Sequence, residues 1–73
     1  MFRVGDILRQ KRDIILWFQS CPTTEQTHEG DLYVFAGPET VESFVYVIVI
    51  HMSGRKVRLS MEAVRNHMEV VHD

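Results

Sequence analysis

The residues best suited to chemistry are one cysteine and four histidines in a chain of 73 residues. A thiolate activated by a histidine is a nucleophile, and cysteine and histidine together bind zinc. Cys21 precedes Pro22, and no histidine stands at metal-ligand spacing from it. The carboxylates are scattered, with no pair on one rigid element suited to acid–base work. The chain also lacks a glycine-rich phosphate loop. We therefore expect no catalytic residue, no metal site and no cofactor.

Two groups of basic side chains offer a different chemistry, the binding of phosphate or of an acidic protein surface. Both groups fall at predicted strand ends. If they lie together, they form one positive patch; the alternative is a solvated loop and a solvated strand face, which is more common on a chain of net charge −2. The candidate binding residues are Arg9, Lys11 and Arg12 in the first group and Arg55, Lys56 and Arg58 in the second.

Charge is unevenly distributed along the chain. All eight lysines and arginines lie outside residues 13–54, whereas glutamates such as Glu25, Glu39 and Glu42 lie inside that interval. This separation predicts a basic side and an acidic side of the folded protein.

Length and composition limit the class of protein. A chain of 73 residues with 45% hydrophobic residues is a single globular domain, residues 1–73, near the lower size limit for a stable core. One cysteine cannot form an internal disulfide, which favours a reducing, cytoplasmic location. No apolar run reaches the length of a membrane span, and no signal peptide is visible, so we expect no membrane partner.

The elements that must position these residues are mainly strands. The second strand, residues 13–21, is apolar on both faces, with Ile14, Leu16 and Phe18 on one side and Ile15 and Trp17 on the other. Ser60 predicts the start of a short helix over residues 61–67. The first predicted strand, residues 2–8, is interrupted by a bend at Gly5-Asp6. The other predicted strands are residues 32–36, 41–52, 55–60 and 68–71, with a long loop at 22–30 and a turn at 37–39.

The hairpin of residues 43–61 has two possible registers. A two-residue turn pairs Ile50 with Val57, whereas a three-residue turn with a bulge at Gly54 pairs Val49 with Val57. We favour the bulge because glycine readily adopts the left-handed conformation it needs. In either register one apolar stripe shares a face with the basic residues of the second arm, so that stripe is either a barrel seam or a partner interface. The stripe is Tyr46, Ile48 and Ile50 in the bulged form, and it includes Val47 and Val49 in the other form. The candidate interface residues are Trp17, Val45, Val47 and Val49.

Three features resemble the SH3-like barrels, particularly the small KOW- and Tudor-type domains. They are the opening Val4-Gly5-Asp6-Ile7, the long strand through residues 46–50, and the helical turn at 64–67 before the last strand. The compact layout, ending in Glu69-Val70-Val71, is also similar to small accessory proteins of tailed bacteriophages. The resemblance implies an all-β fold with one short helix, an SH3-like small barrel of five or six strands.

These observations together predict a non-catalytic interaction module that binds and modulates a partner protein. A nucleic-acid-binding module that uses the two basic groups is one alternative. The other is a structural homo-oligomer, the simplest case being a homodimer.

Overall fold

A computed structural model describes residues 2–18 and 23–71, and it is mostly β with one short helix. In these ranges no helix combines the length and the apolar composition needed to cross a membrane. Seven strands are present rather than the five or six predicted. They are β1 (Ile7–Gln10), β2 (Ile14–Phe18), β3 (Thr23–Thr27), β4 (Leu32–Val41), β5 (Phe44–His51), β6 (Lys56–Leu59) and β7 (Met68–Val70), with α1 (Met61–His67) between β6 and β7.

The strands form one sheet in the order β3-β2-β6-β5-β4-β1-β7, and every neighbouring pair is antiparallel. The edge strands are β3 and β7, which do not pair with each other within the described residues. The sheet is therefore not closed, and the predicted barrel of five or six strands is not confirmed.

The short connection between β1 and β2 shows that this sheet curls strongly. The two strands are four spacings apart in the sheet order, which is about 19 Å across a flat sheet. The chain from Gln10 to Ile14 spans at most about 14 Å when fully extended. Curling brings the inner faces together around one core, whose buried members are Leu8, Leu16, Phe18, Tyr33, Phe35, Val47, Val49, Val57, Val64 and Met68.

Strand β3 corrects the predicted long loop. Thr23–Thr27 pairs along its whole length with β2, from Ile14 opposite Thr27 to Phe18 opposite Thr23. Three of its five residues are threonine, whose β-branched side chain favours extended backbone. The segment has no apolar alternation because only one side chain, that of Thr27, is buried.

Strand β4 corrects the predicted turn at residues 37–39. It continues through Gly37 and Pro38 after a β-bulge between Phe35 and Gly37, where Gly37 adopts a φ of +112°. Proline is tolerated here because β1 pairs with β4 only from Leu32 to Val34. Phe35 still exchanges backbone hydrogen bonds with Gly5 and Asp6 on that side. Beyond Phe35 no strand of the described residues pairs there, so the missing N–H of Pro38 breaks no ladder.

The hairpin and the helix confirm the predictions. Val49 lies opposite Val57, and Gly54 supplies the positive φ, +90°, of a three-residue turn. Helix α1 begins after Ser60, whose hydroxyl accepts a hydrogen bond from the Ala63 amide at 3.1 Å. The predicted bend at Gly5-Asp6 is also present, as a turn in which Gly5 has a φ of +94°. The first strand begins only after this bend, at Ile7, rather than at Phe2.

Candidate interaction surface

The curled sheet has an inner face that lines the core and an outer face directed away from it. Along β5 the side chains alternate, so Val47 and Val49 point inward, where both are at most 2% exposed. A partner cannot reach these two residues in the folded protein. Their assignment to an interface is therefore corrected: they are the core side of β5, because the sheet curls over that face.

Two of the four predicted interface residues are accessible, but they lie apart. Val45 is 67% exposed near the start of β5, and Trp17 is 47% exposed on β2 beside the equally accessible Ile15. In the sheet order β6 lies between β2 and β5. The structure therefore does not bring the predicted interface residues together as one surface.

The two basic groups do not form one patch either, and the separation into acidic and basic sides is not realised. Arg9 is on β1, and its guanidinium pairs with Glu69 at 2.9 Å. Arg12 donates to the carbonyl of Asn66 at the end of α1, at 3.3 Å. Lys11 is exposed in the β1–β2 connection. The first group thus lies along the β1 and α1 side of the molecule.

In the second group, acidic residues from the middle of the chain face the basic residues. Arg55 pairs with Glu25 and also stacks on the ring of Phe18, 4.1 Å from its centroid. Lys56 is exposed at the start of β6. Strands β1 and β6 are three spacings apart, or about 14 Å, so Arg9 and Lys56 border opposite sides of β4 and β5.

Arg58 reaches across β5 on the outer face. Its guanidinium pairs with Glu39 of β4 at 3.1 Å and lies 5.4 Å from the ring centroid of Tyr46. Ile48, opposite Arg58 in the ladder, is only 8% exposed although it points outward. This ion pair covers the centre of the outer face and leaves apolar side chains accessible on both sides of it.

The first accessible region is a shallow depression of about 250 Å³ on β1, β4 and β5, which we name the outer groove. Ile7 lies opposite Val34, which lies opposite Ile50, so the three side chains form a row across the sheet. Ile7 and Leu32 are each 41% exposed. The apolar side chains of the outer groove are Ile7, Leu32, Val34, Ile50 and Met52.

The second accessible region is a two-stranded ribbon, residues 38–46, that extends past the strands on either side. β6 pairs with β5 only from Val47 to Ile50, so the ribbon has no neighbouring strand among the described residues. The bulge in β4 places Val41 beside Phe44 on the outer face. Phe44 is 63% exposed at the tip, next to the ring of Tyr46.

A polar network lies on the inner side of β4 and β5. The amide of Ser53 donates to Nδ1 of His51 at 3.2 Å, and Nε2 of the same ring donates to the carboxylate of Asp31 at 3.0 Å. The ring also packs edge-on against Phe18 and Tyr33. These ring contacts hold β2, β4 and β5 together behind the outer groove.

A second buried hydrogen bond joins β4 to β1. The hydroxyl of Tyr33 donates to the side-chain oxygen of Gln10 at 2.6 Å, and the Gln10 amide donates to the carbonyl of Arg12 at 2.7 Å. Both side chains are at most 1% exposed. Burial raises the pKa of Tyr33 to about 12, so this hydroxyl keeps its proton at neutral pH.

Residues 2–18 and 23–71 contain no group of three or more histidine, cysteine, aspartate or glutamate side chains that could hold a metal ion. Cys21 and His72 lie outside the described residues. The titratable pair Asp31 and His51 positions β5 and the turn at residues 52–54.

Known proteins provide no further assignment. No family model, no curated protein and no solved structure matches the chain.

Of the outer groove, only Ile50 belonged to a stripe that the sequence placed beside the basic residues. Phe44 and the other groove residues were not predicted. The sequence feature that could have identified this surface is the apolar character of both faces of β5. A strand buried on one side needs only alternate apolar residues, so the second apolar face indicates an additional contact surface. Ile7 and Leu32 carried no such signal, because they join the groove only through pairing between β1 and β4.

Proposed function

We propose that this chain is a non-catalytic interaction module that binds and modulates a partner protein, as its resemblance to small phage accessory proteins implies. The observation that carries the proposal is the outer groove. It is an apolar surface on a sheet face that is not needed for the core, because the opposite face already holds the buried residues.

The groove is a suitable source of binding energy. Burial of apolar surface contributes about 25 cal/mol per Å², so covering the exposed side chains of Ile7, Leu32 and Met52 favours association and offsets part of its cost. The apolar floor lies between Arg9 and Lys56, and such charges at a rim favour orientation more than affinity. A protein surface with an apolar projection fits this site better than a nucleic acid does.

The SH3-like assignment and the intracellular location belong to the same proposal. The curled antiparallel sheet and the helix directly before the last strand support an SH3-like architecture. The single cysteine supports a reducing compartment.

The experiment is affinity capture from a cell extract with the wild-type protein and two variants. Val34→Glu places a charge in the outer groove, and Val45→Glu places the same charge on the other face of the same two strands. We expect Val34→Glu to lose the captured protein and Val45→Glu to keep it. Loss with Val45→Glu alone would move the interface to the surface first predicted from sequence. A wild-type protein that captures nothing and also stays monomeric would refute the proposal.

A further inference from the structure

The tip of the ribbon is complementary to the outer groove in shape and charge. Phe44 projects from the end of the ribbon, 63% exposed, and the groove volume of about 250 Å³ is large enough to take a phenylalanine side chain. Residues 38–46 contain no basic residue, and Glu42 is the acidic side chain at their turn, since Glu39 pairs with Arg58. The groove is bordered by Lys56 on β6 and by Arg9 on β1, whose guanidinium pairs with Glu69.

The tip of one molecule cannot occupy its own groove. Phe44 and Ile50 lie on the same strand, β5, six residues apart. At about 3.3 Å per residue they are separated by about 20 Å, and the ladder to β4 prevents the strand from folding back on itself. Phe44 can therefore enter an outer groove only if that groove belongs to a second molecule.

We propose that the occupant of the outer groove is the ribbon tip of a second copy of this chain. Phe44 and Ile50 both point to the outer face, because they are an even number of residues apart on one strand. A two-fold axis between them places each tip in the other copy's groove and closes the assembly as a dimer. The inference rests on the proposed function, since it names the protein that the groove binds.

The ribbon gives an independent reason for a partner. A two-stranded ribbon is only marginally stable in water without a third strand or a packed surface. Docking its outer face, with Val41, Phe44 and Tyr46, on a second copy supplies that surface. Glu42 then approaches the basic border of the partner's groove.

The test is the molar mass of the full chain in solution over a dilution series, by light scattering and sedimentation. We expect a monomer–dimer equilibrium. Phe44→Ser and Val34→Glu should each raise the dissociation constant at least about tenfold. Val45→Ser, an equally exposed position on the opposite face, should change it by less than about threefold.

Mixing the two defective variants provides the sharper measurement. A heterodimer of Phe44→Ser with Val34→Glu contains one intact tip-in-groove contact, whereas neither variant alone can form one. We expect the mixture to dimerise more tightly than either component. Because Phe44 is exposed, its substitution leaves the core intact, and thermal unfolding of each variant verifies this.

Several outcomes would overturn the inference. They are a wild-type protein that stays monomeric up to about 1 mM, a dimer that neither variant weakens, a mixture without rescue, and growth beyond a dimer. If the wild type is monomeric but Val34→Glu still abolishes capture from the extract, the groove binds a different protein and the proposed function stands. If Val34→Glu changes neither the molar mass in solution nor the capture from the extract, both the dimer inference and the proposed function fail.

Discussion

At the scale of single residues, the buried polar side chains hold the strands behind the outer groove in register. Tyr33, Gln10 and His51 lie where an apolar core would otherwise continue, and the first two are at most 1% exposed. Each of the three has a hydrogen-bond partner from a different part of the chain. Removing one partner leaves the other buried and unsatisfied, which costs more than the hydrogen bond itself contributes.

Tyr33→Phe tests the bond to Gln10. We expect a loss of about 1–3 kcal/mol in the free energy of unfolding at neutral pH, because the Gln10 oxygen loses its donor. The pKa of Tyr33 is raised from 10.0 to about 12, first by burial and then by the charge of Asp31. Because this pKa is higher in the folded state than in the unfolded state, the free energy of unfolding falls as pH rises from 10 to 12, by about 2–3 kcal/mol.

Denaturant titrations at several alkaline pH values measure this loss. The Tyr33→Phe variant should lack it, whereas Tyr46→Phe on the outer face should retain it. An identical alkaline dependence in Tyr33→Phe and wild type would contradict the assignment.

Asp31 governs the acid side of the stability profile. Burial acts to raise the pKa of its carboxyl, but the His51 side chain and the His28 amide, which both donate to it, outweigh burial and hold it below 3.8. A lowered folded-state pKa gives stability that is present above 3.8 and is lost as pH falls below it. Asp31→Asn should cost about 1–3 kcal/mol at pH 7.

The measurement is thermal unfolding of both forms between neutral and strongly acidic pH. The stability of Asp31→Asn should depend less on pH below 3.8 than that of the wild type. Parallel acid profiles would show that Asp31 does not contribute through its charge.

At the scale of elements, prediction from sequence succeeded where local chemistry and tertiary context agree. The turn at Gly54 and the N-cap at Ser60 each have a local cause, so the hairpin register and the helix were predictable. Strand β3 was not, because a polar edge strand has no hydrophobic periodicity. Strand β4 passes through Gly37 and Pro38 because of a bulge and because β1, which begins at Ile7, leaves that edge uncovered.

Glu42 at the ribbon turn is a position of local strain. Its φ is +56°, the left-handed region that residues with a Cβ rarely adopt. Glu42→Gly should therefore raise the free energy of unfolding by up to about 1 kcal/mol. Ser43→Gly, at the neighbouring position without a positive φ, should instead lower it by about 0.5–1 kcal/mol. Chemical denaturation of the two variants distinguishes them, and destabilisation by both would contradict the turn geometry.

At the scale of the whole molecule, the fold pairs charges that the sequence keeps apart. Antiparallel pairing brings Glu25, Glu39 and Glu69 to Arg55, Arg58 and Arg9. We expect little affinity for mixed DNA or RNA at about 0.15 M salt and weak binding at low salt, because paired cations release fewer counterions.

Fluorescence anisotropy over a salt series measures this affinity. Exchange of Glu25, Glu39 and Glu69 for glutamine should strengthen low-salt binding, and alanine at the six basic positions should abolish it. Tight wild-type binding at about 0.15 M salt would favour a nucleic-acid-binding function instead.

The candidate site was only partly predictable from sequence, because its location depends on how the whole sheet curls. Both faces of β5 are apolar, so its sequence cannot tell which face the remaining strands cover. The register identified the stripe that accompanies Lys56, but the curl of the sheet decides that Val47 and Val49 are core and that Ile50 belongs to the outer groove. That curl follows from the β1–β2 connection, far from β5 in sequence.

Within the described residues, the shortest pairing between neighbouring strands is that of β2 with β6. Among the described residues these strands pair only at Phe18 opposite Val57, whereas β4 and β5 pair along most of their length. The β2–β3 hairpin is therefore the part of the sheet most able to detach while the rest stays folded. Its backbone amides should exchange with deuterium before those of β4 and β5, by a subglobal opening that native-state exchange mass spectrometry resolves. Equal protection of both hairpins would mean that the molecule opens only as a single unit.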